Sequence, residues 1–88
     1  MIFLSYSWRD RDYALELRDR LRFAHLAYWL DSEHLDVGLP FRPQLSSAID
    51  RASAVVLIDS RASRTSPWVQ FERAVATSRR KPTILLAA

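Results

Sequence analysis

The chain has no cysteine, which rules out a disulfide framework and any thiolate metal site. It has one glycine, Gly38. A single glycine cannot build G-x-G-x-x-G or G-x-x-x-x-G-K-S/T, so the backbone needed for Rossmann dehydrogenase and P-loop chemistry is absent. The hydrolase elbow G-x-S-x-G is missing for the same reason. Lysine is nearly absent too: twelve of the thirteen basic residues are arginine. They are interspersed with ten acidic residues to a net charge of +3. No basic block alternates with aromatics as a nucleic-acid groove requires, so no direct nucleic-acid site is expected. No apolar run approaches the ~18 to 20 residues of a membrane span, and no positively charged region precedes the first apolar residues. These features predict a soluble domain with no membrane contact, suited to a reducing cytoplasm.

What remains is compact in composition. Eighty-eight residues allow one small domain, and 49% apolar content with four prolines fits a packed core rather than disorder. Ile2-Phe3-Leu4 is an unbroken apolar run too short for a helix and suited to a strand covered on both faces. Ser5 to Arg9 follows as a polar and aromatic turn, with Asp10 placed to cap the next element. Ala14, Leu17, Leu21 and Ala24 then recur at helical spacing with Arg11, Arg18 and Arg22 on the other side. Ala27-Tyr28-Trp29-Leu30 reads as a second strand, at a sheet edge.

From Asp31 to Phe41 all periodicity stops. The segment contains Gly38 and Pro40 and mixes acids with Leu35, Val37 and Leu39, so it is predicted to be a long exposed loop with apolar content, of the kind that contacts a partner. Pro43 opens a helix carrying Leu45, Ala48, Ile49 and Ala52 on one face. Ala54 to Ile58 is wholly apolar and therefore a central strand. Asp59 to Thr65 is predicted to be a polar loop, a helix runs from Pro67 to about Arg79, and Pro82 to Leu86 forms a fourth strand. Alternating strands and helices with non-alternating strands predict an α/β fold, a parallel sheet with helices on both faces. In such sheets ligands sit beyond the carboxyl ends of the strands, which brings the Tyr6–Arg9 turn and the start of the last helix toward one cleft.

That last helix carries the chemistry. Ser66 can accept a hydrogen bond from a first-turn amide, and at Pro67 the missing N–H is no loss. Trp68 and Glu72, four apart, share a face, and the neighbours of Glu72 at three and four residues are Trp68, Val69, Val75 and Ala76, none of them a cation. A carboxylate among an indole and aliphatic groups is partly desolvated, with a raised pKa, and is a candidate functional group. His25 and His34 match no ligand spacing and are read as surface residues, so no metal site is expected. Trp29, inside a strand, reads as core; Trp8, in a turn, reads as an indole covering something.

Taken in order, Ile2-Phe3-Leu4-Ser5-Tyr6-Ser7 with Asp10, Trp29-Leu30-Asp31, the Gly38 loop, Ala48-Ile49 before the Val-rich strand, and Ser66-x-Trp68-x-x-x-Glu72 resemble the Toll/interleukin-1 receptor (TIR) domain family, in its prokaryotic NAD-cleaving form. The match runs through the whole chain. It departs at Val69, where many members have cysteine, and at Ala88, before the fifth strand and last helix usual in the family. The resemblance implies a flavodoxin-like sheet, partial over residues 1–88, in a polypeptide expected to continue into a further strand–helix unit and a fused or associated sensor domain.

It also implies one of two functions. The first is cleavage of NAD+ to nicotinamide and ADP-ribose or a cyclic isomer, as an immune or antiviral defence effector activated by oligomerisation. Glu72 is then catalytic, Tyr6, Ser7, Trp8 and Trp68 bind substrate, and no cofactor is used beyond NAD+ as substrate. The second is a non-catalytic scaffold. In both, other TIR domains are the partners, through the loop holding Leu35, Val37, Gly38, Leu39 and Pro40.

Overall fold

The computed structural model describes residues 1–88. Strand β1 (Ile2–Ser5) leads through a 3-10 turn (Trp8–Asp10) into helix α1 (Arg11–Phe23). A short strand β2 (Tyr28–Trp29), a single helical turn α2 (Asp31–His34) and helix α3 (Phe41–Arg51) follow. Strand β3 (Ala54–Asp59), a second single turn α4 (Arg61–Arg64), helix α5 (Pro67–Ser78) and strand β4 (Thr83–Ala87) complete the chain. The four strands are parallel, in the order β2-β1-β3-β4, so the chain reverses its direction of travel across the sheet between β1 and β3. Phe3 is in register with Trp29 on one side and Val55 on the other. The predicted parallel sheet with helices on both faces is the fold found.

Alternation along β1 and β3 divides the core. Phe3 and Val55 face one way, into a cluster with Trp29, Leu45, Ile49 and Ala76, which binds α3 and α5 to the sheet. Leu4 and Val56 face the other way, with Tyr6, Leu30, Ile58 and Ala14 of α1. Each fully buried aliphatic or aromatic side chain here contributes about 1.5–3 kcal/mol. The rings of Phe3 and Trp29 stack with centroids 5.0 Å apart, which places Trp29 in the core as expected. No helix is long and apolar enough to cross a membrane.

Four local expectations are corrected. Asp31 to Phe41 is not structureless: Asp31 and Glu33 sit in the first turn of α2, where acidic groups favour a helix start, and the Nδ1 atom of His34 lies 3.0 Å from the Leu30 backbone nitrogen that donates to it. Helix α3 starts at Phe41 rather than Pro43, because a proline in the first helical turn removes an N–H that has no partner anyway. Asp59 to Thr65 contains α4, held by a reciprocal cap in which the Ser60 hydroxyl accepts from Ser63 N (3.0 Å) and Ser63 Oγ accepts from Ser60 N (2.8 Å). Serine takes the place that glutamate or glutamine usually fills in such a cap, so the sequence signature is absent. Asp10 makes no side-chain cap on α1; its carboxylate accepts instead from the Ser60 hydroxyl, across the sheet reversal.

Candidate functional site

A cleft of about 890 Å³ opens at the carboxyl ends of the strands, over the point where strand order reverses. Tyr6, Ser7, Trp8 and Arg9 line it from the end of β1, and Asp31 from the end of β2. Arg61, Ala62, Thr65, Ser66 and Trp68 complete it beyond β3. All four residues assigned to substrate binding on sequence are therefore brought together. Ser66 caps α5 by accepting from Val69 N (3.3 Å), with Pro67 at the first helical position, as expected.

Glu72 does not line this cleft. It lies on the buried face of α5 with Val69 and Ala76, one turn inward from the lining residue Trp68 and against Ser5, the residue before the lining residue Tyr6, and is only 1% exposed. Its one side-chain hydrogen bond is from Ser5 Oγ, which donates to Oε1 at 2.7 Å. No cation pairs with it. Burial is the largest influence and pushes its pKa well above the ordinary carboxylate range; the nearby Asp31 charge adds to the rise, while Ser5 and the Trp68 indole oppose it. The sequence predicts partial desolvation, and the structure shows it to be complete.

The cleft itself is lined by a carboxylate, Asp31, that sequence reasoning passed over as a strand boundary. Asp31 accepts from the Tyr6 hydroxyl and from Ser32 N (2.7 Å). Burial first, and Asp31 second, push the Tyr6 phenol far above its usual range, so it remains a donor at physiological pH. A carboxylate immediately after a parallel strand always emerges on the ligand side of the sheet, and that is the signal that identifies it. Ser7 is buried, and its hydroxyl accepts from Arg9 N (3.4 Å). Trp8 is 75% exposed, with the Arg11 guanidinium 5.3 Å from its ring centroid. Trp68 is half-buried and meets Phe41 edge-on, centroids 5.8 Å apart. His25 ends α1 in a left-handed conformation (φ 57°), and His34 stacks on Trp29 at 6.0 Å.

The predicted assembly segment is ordered but apolar outside. Leu35 packs half-buried on the core; Val37 is 83% and Leu39 56% exposed, and Gly38 and Pro40 are also at the surface. Gln44, which the sequence did not single out, fastens this segment to α3. Its side chain accepts from Asp36 N (2.8 Å) and donates to Asp36 O (2.7 Å), Leu39 O (3.2 Å) and Pro40 O (3.1 Å). Gly38 is not left-handed. Its N–H donates to Asp36 Oδ1 at 2.9 Å, and a Cβ there would approach that oxygen to 3.3 Å.

The TIR domain family profile matches residues 2–87. Among solved structures, the chain superposes on the TIR domain of the Toll-related receptor TRR-2 from the lower metazoan Hydra magnipapillata with a TM-score of 0.88. Identity is 15%, and the match covers 96% of this chain and 66% of that one, so the present chain spans just under two thirds of its length. At that identity the likeness is one of fold. No curated protein matches the sequence.

Proposed function

The chain belongs to the TIR domain family, and from that premise we propose that it cleaves NAD+ at the nicotinamide–ribose bond, acting in the cytoplasm once assembled with other TIR domains. One observation carries the reading: Glu72 is buried directly behind the cleft with a single hydroxyl partner and no cation. Stability alone does not favour such a group, since burying a carboxyl costs free energy that a leucine at the same helix position would not incur. The same carboxyl is an asset where positive charge develops.

Nicotinamide leaves NAD+ as a neutral base, so the C1′–N bond breaks with its electron pair moving to the ring nitrogen and no proton is needed. The demanding species is the ribosyl oxocarbenium, which a carboxylate stabilises by its charge and by accepting from ribose hydroxyls. Water then adds to C1′ and releases a proton, giving ADP-ribose; attack by the adenine ring gives the cyclic isomer. Before substrate binds, burial biases Glu72 toward its protonated form. The cationic nicotinamide ring favours its ionisation, the proton passing to solvent through the cleft, and a small movement of Tyr6 or Trp68 admits the ribose to it. Contacts through Val37 and Leu39 of a neighbouring domain, next to the Phe41–Trp68 pair, supply that movement.

The same exposed side chains support a second reading, a scaffold that acts only through TIR–TIR contacts. Chromatographic assay of nicotinamide release from NAD+ by the self-associated protein separates the two. Wild type releases nicotinamide, and Glu72→Gln is slower by a factor of about a hundred to a thousand or more. Equal rates remove Glu72 from the mechanism, and no release under any assembling condition leaves the scaffold.

A further inference from the structure

The cleft is electrically polarised along the sheet. Asp31 follows β2, the Tyr6–Arg9 segment follows β1, and Arg61 follows β3. With the strands in the order β2-β1-β3, the cleft passes from carboxylate, through the indole of Trp8 and the guanidinium of Arg9, to a second guanidinium at Arg61. Three arginines outside the cleft are matched to acids: Arg18 with Asp19 and Glu33, Arg64 with Asp59, Arg79 with Asp50. Arg9 and Arg61 are not. Neither side chain makes an ion pair or a hydrogen bond within the protein, and both are exposed on the cleft wall. Their walls are joined by the bond from the Ser60 hydroxyl to the Asp10 carboxylate, which links the residue before Arg61 to the residue after Arg9.

We infer that Arg9 and Arg61 form a subsite for the diphosphate of an adenine dinucleotide, and that the Ser60–Asp10 bond sets the span between them. This rests on the proposed cleavage reading and fixes the direction in which the substrate lies. The cationic nicotinamide riboside end faces Asp31 and the Ser5–Glu72 pair, and the anionic diphosphate faces the arginines. Guanidinium groups suit this task because their planar donors meet two phosphate oxygens at once. A cleft of this volume is large enough for such a ligand. The reverse orientation would set diphosphate oxygens against Asp31 and the ring cation against two guanidiniums.

Calorimetric titration of the full chain with adenosine diphosphate and with adenosine tests this without relying on turnover. Wild type should bind the diphosphate at least about tenfold more tightly than adenosine. Arg61→Gln and Arg9→Gln should each weaken diphosphate binding by about tenfold and leave adenosine unchanged, while Arg20→Gln, outside the cleft, should change neither. Ser60→Ala, with Arg9 and Arg61 intact, should weaken the diphosphate selectively and by less. Equal affinity for the two ligands, no diphosphate binding, or arginine variants that bind like wild type each overturn the inference. Arginine-dependent diphosphate binding by a protein that releases no nicotinamide keeps the subsite and removes the cleavage reaction. Nicotinamide release that the arginine variants leave unchanged does the reverse.

Discussion

The floor of the cleft and the outer surface of the segment from Val37 to Phe41 depart from ordinary partitioning in opposite directions. Beneath the cleft, Ser5 and Glu72 are buried where neighbouring strand and helix positions, Leu4, Val69 and Ala76, are aliphatic. On the segment, Val37, Leu39 and Phe41 are exposed where loop residues are usually polar. Each arrangement has a cost, and each is held in place by a specific polar contact: the Ser5 hydroxyl on Glu72, and the Gln44 side chain on Asp36, Leu39 and Pro40. A buried acid with a raised pKa suits chemistry, and an ordered apolar surface suits a partner. The two regions meet at the edge-on contact of Phe41 with Trp68, the route by which the proposed assembly would act on the cleft.

The two regions are uncoupled most completely at Leu39. Leu39→Glu, or Gly38→Glu on its neighbour, should abolish self-association in sedimentation and nicotinamide release together, while the melting temperature changes little. A monomeric variant with full activity would separate the two regions. Ser5→Ala should cost about 1–3 kcal/mol in denaturant unfolding, because it leaves a buried carboxyl without its donor. The same change should raise the Glu72 pKa further, since the Ser5 bond acts to lower it.

A subtler signature is pH dependence. Glu72 has a folded-state pKa above its unfolded one, so between the two the folded protein keeps a proton that the unfolded chain has lost. Its contribution is therefore fully present below the ordinary carboxylate range and is lost as pH rises through the folded value. Unfolding of wild type should show this decline, and Glu72→Gln should lose that component. The smallest expected effect lies on β4, where Ile84 and Leu85 are both 51% exposed. Lysine at either position should change stability by no more than about 0.5 kcal/mol but reduce concentration-dependent light scattering, as charge on an edge strand does.

The sheet and α1 and α3 were legible from period alone, as in the all-apolar Val55 to Ile58 and the stripe of Leu45, Ala48 and Ile49, and α5 from period together with its Ser66-Pro67 cap. The two single-turn helices were not. Four residues are too few to show a period, and α4 is capped by a Ser60–Ser63 pair that resembles ordinary loop composition. Glu72 was legible from its missing helical cation, but its partner Ser5 lies 67 residues away in a different element and has no local signal. Asp10 illustrates the converse. Its position favours a helix cap, and a tertiary partner, Ser60, takes it instead.

The burial of Glu72 is tested by a carbon-detected NMR titration of its side-chain carboxyl, assigned by comparison with Glu72→Gln. This carboxyl is expected to stay protonated through the range where surface glutamates ionise and to titrate well above it. Titration alongside the exposed glutamates would contradict that burial, because a carboxyl already ionised and solvated in the resting domain is neither buried nor held in reserve.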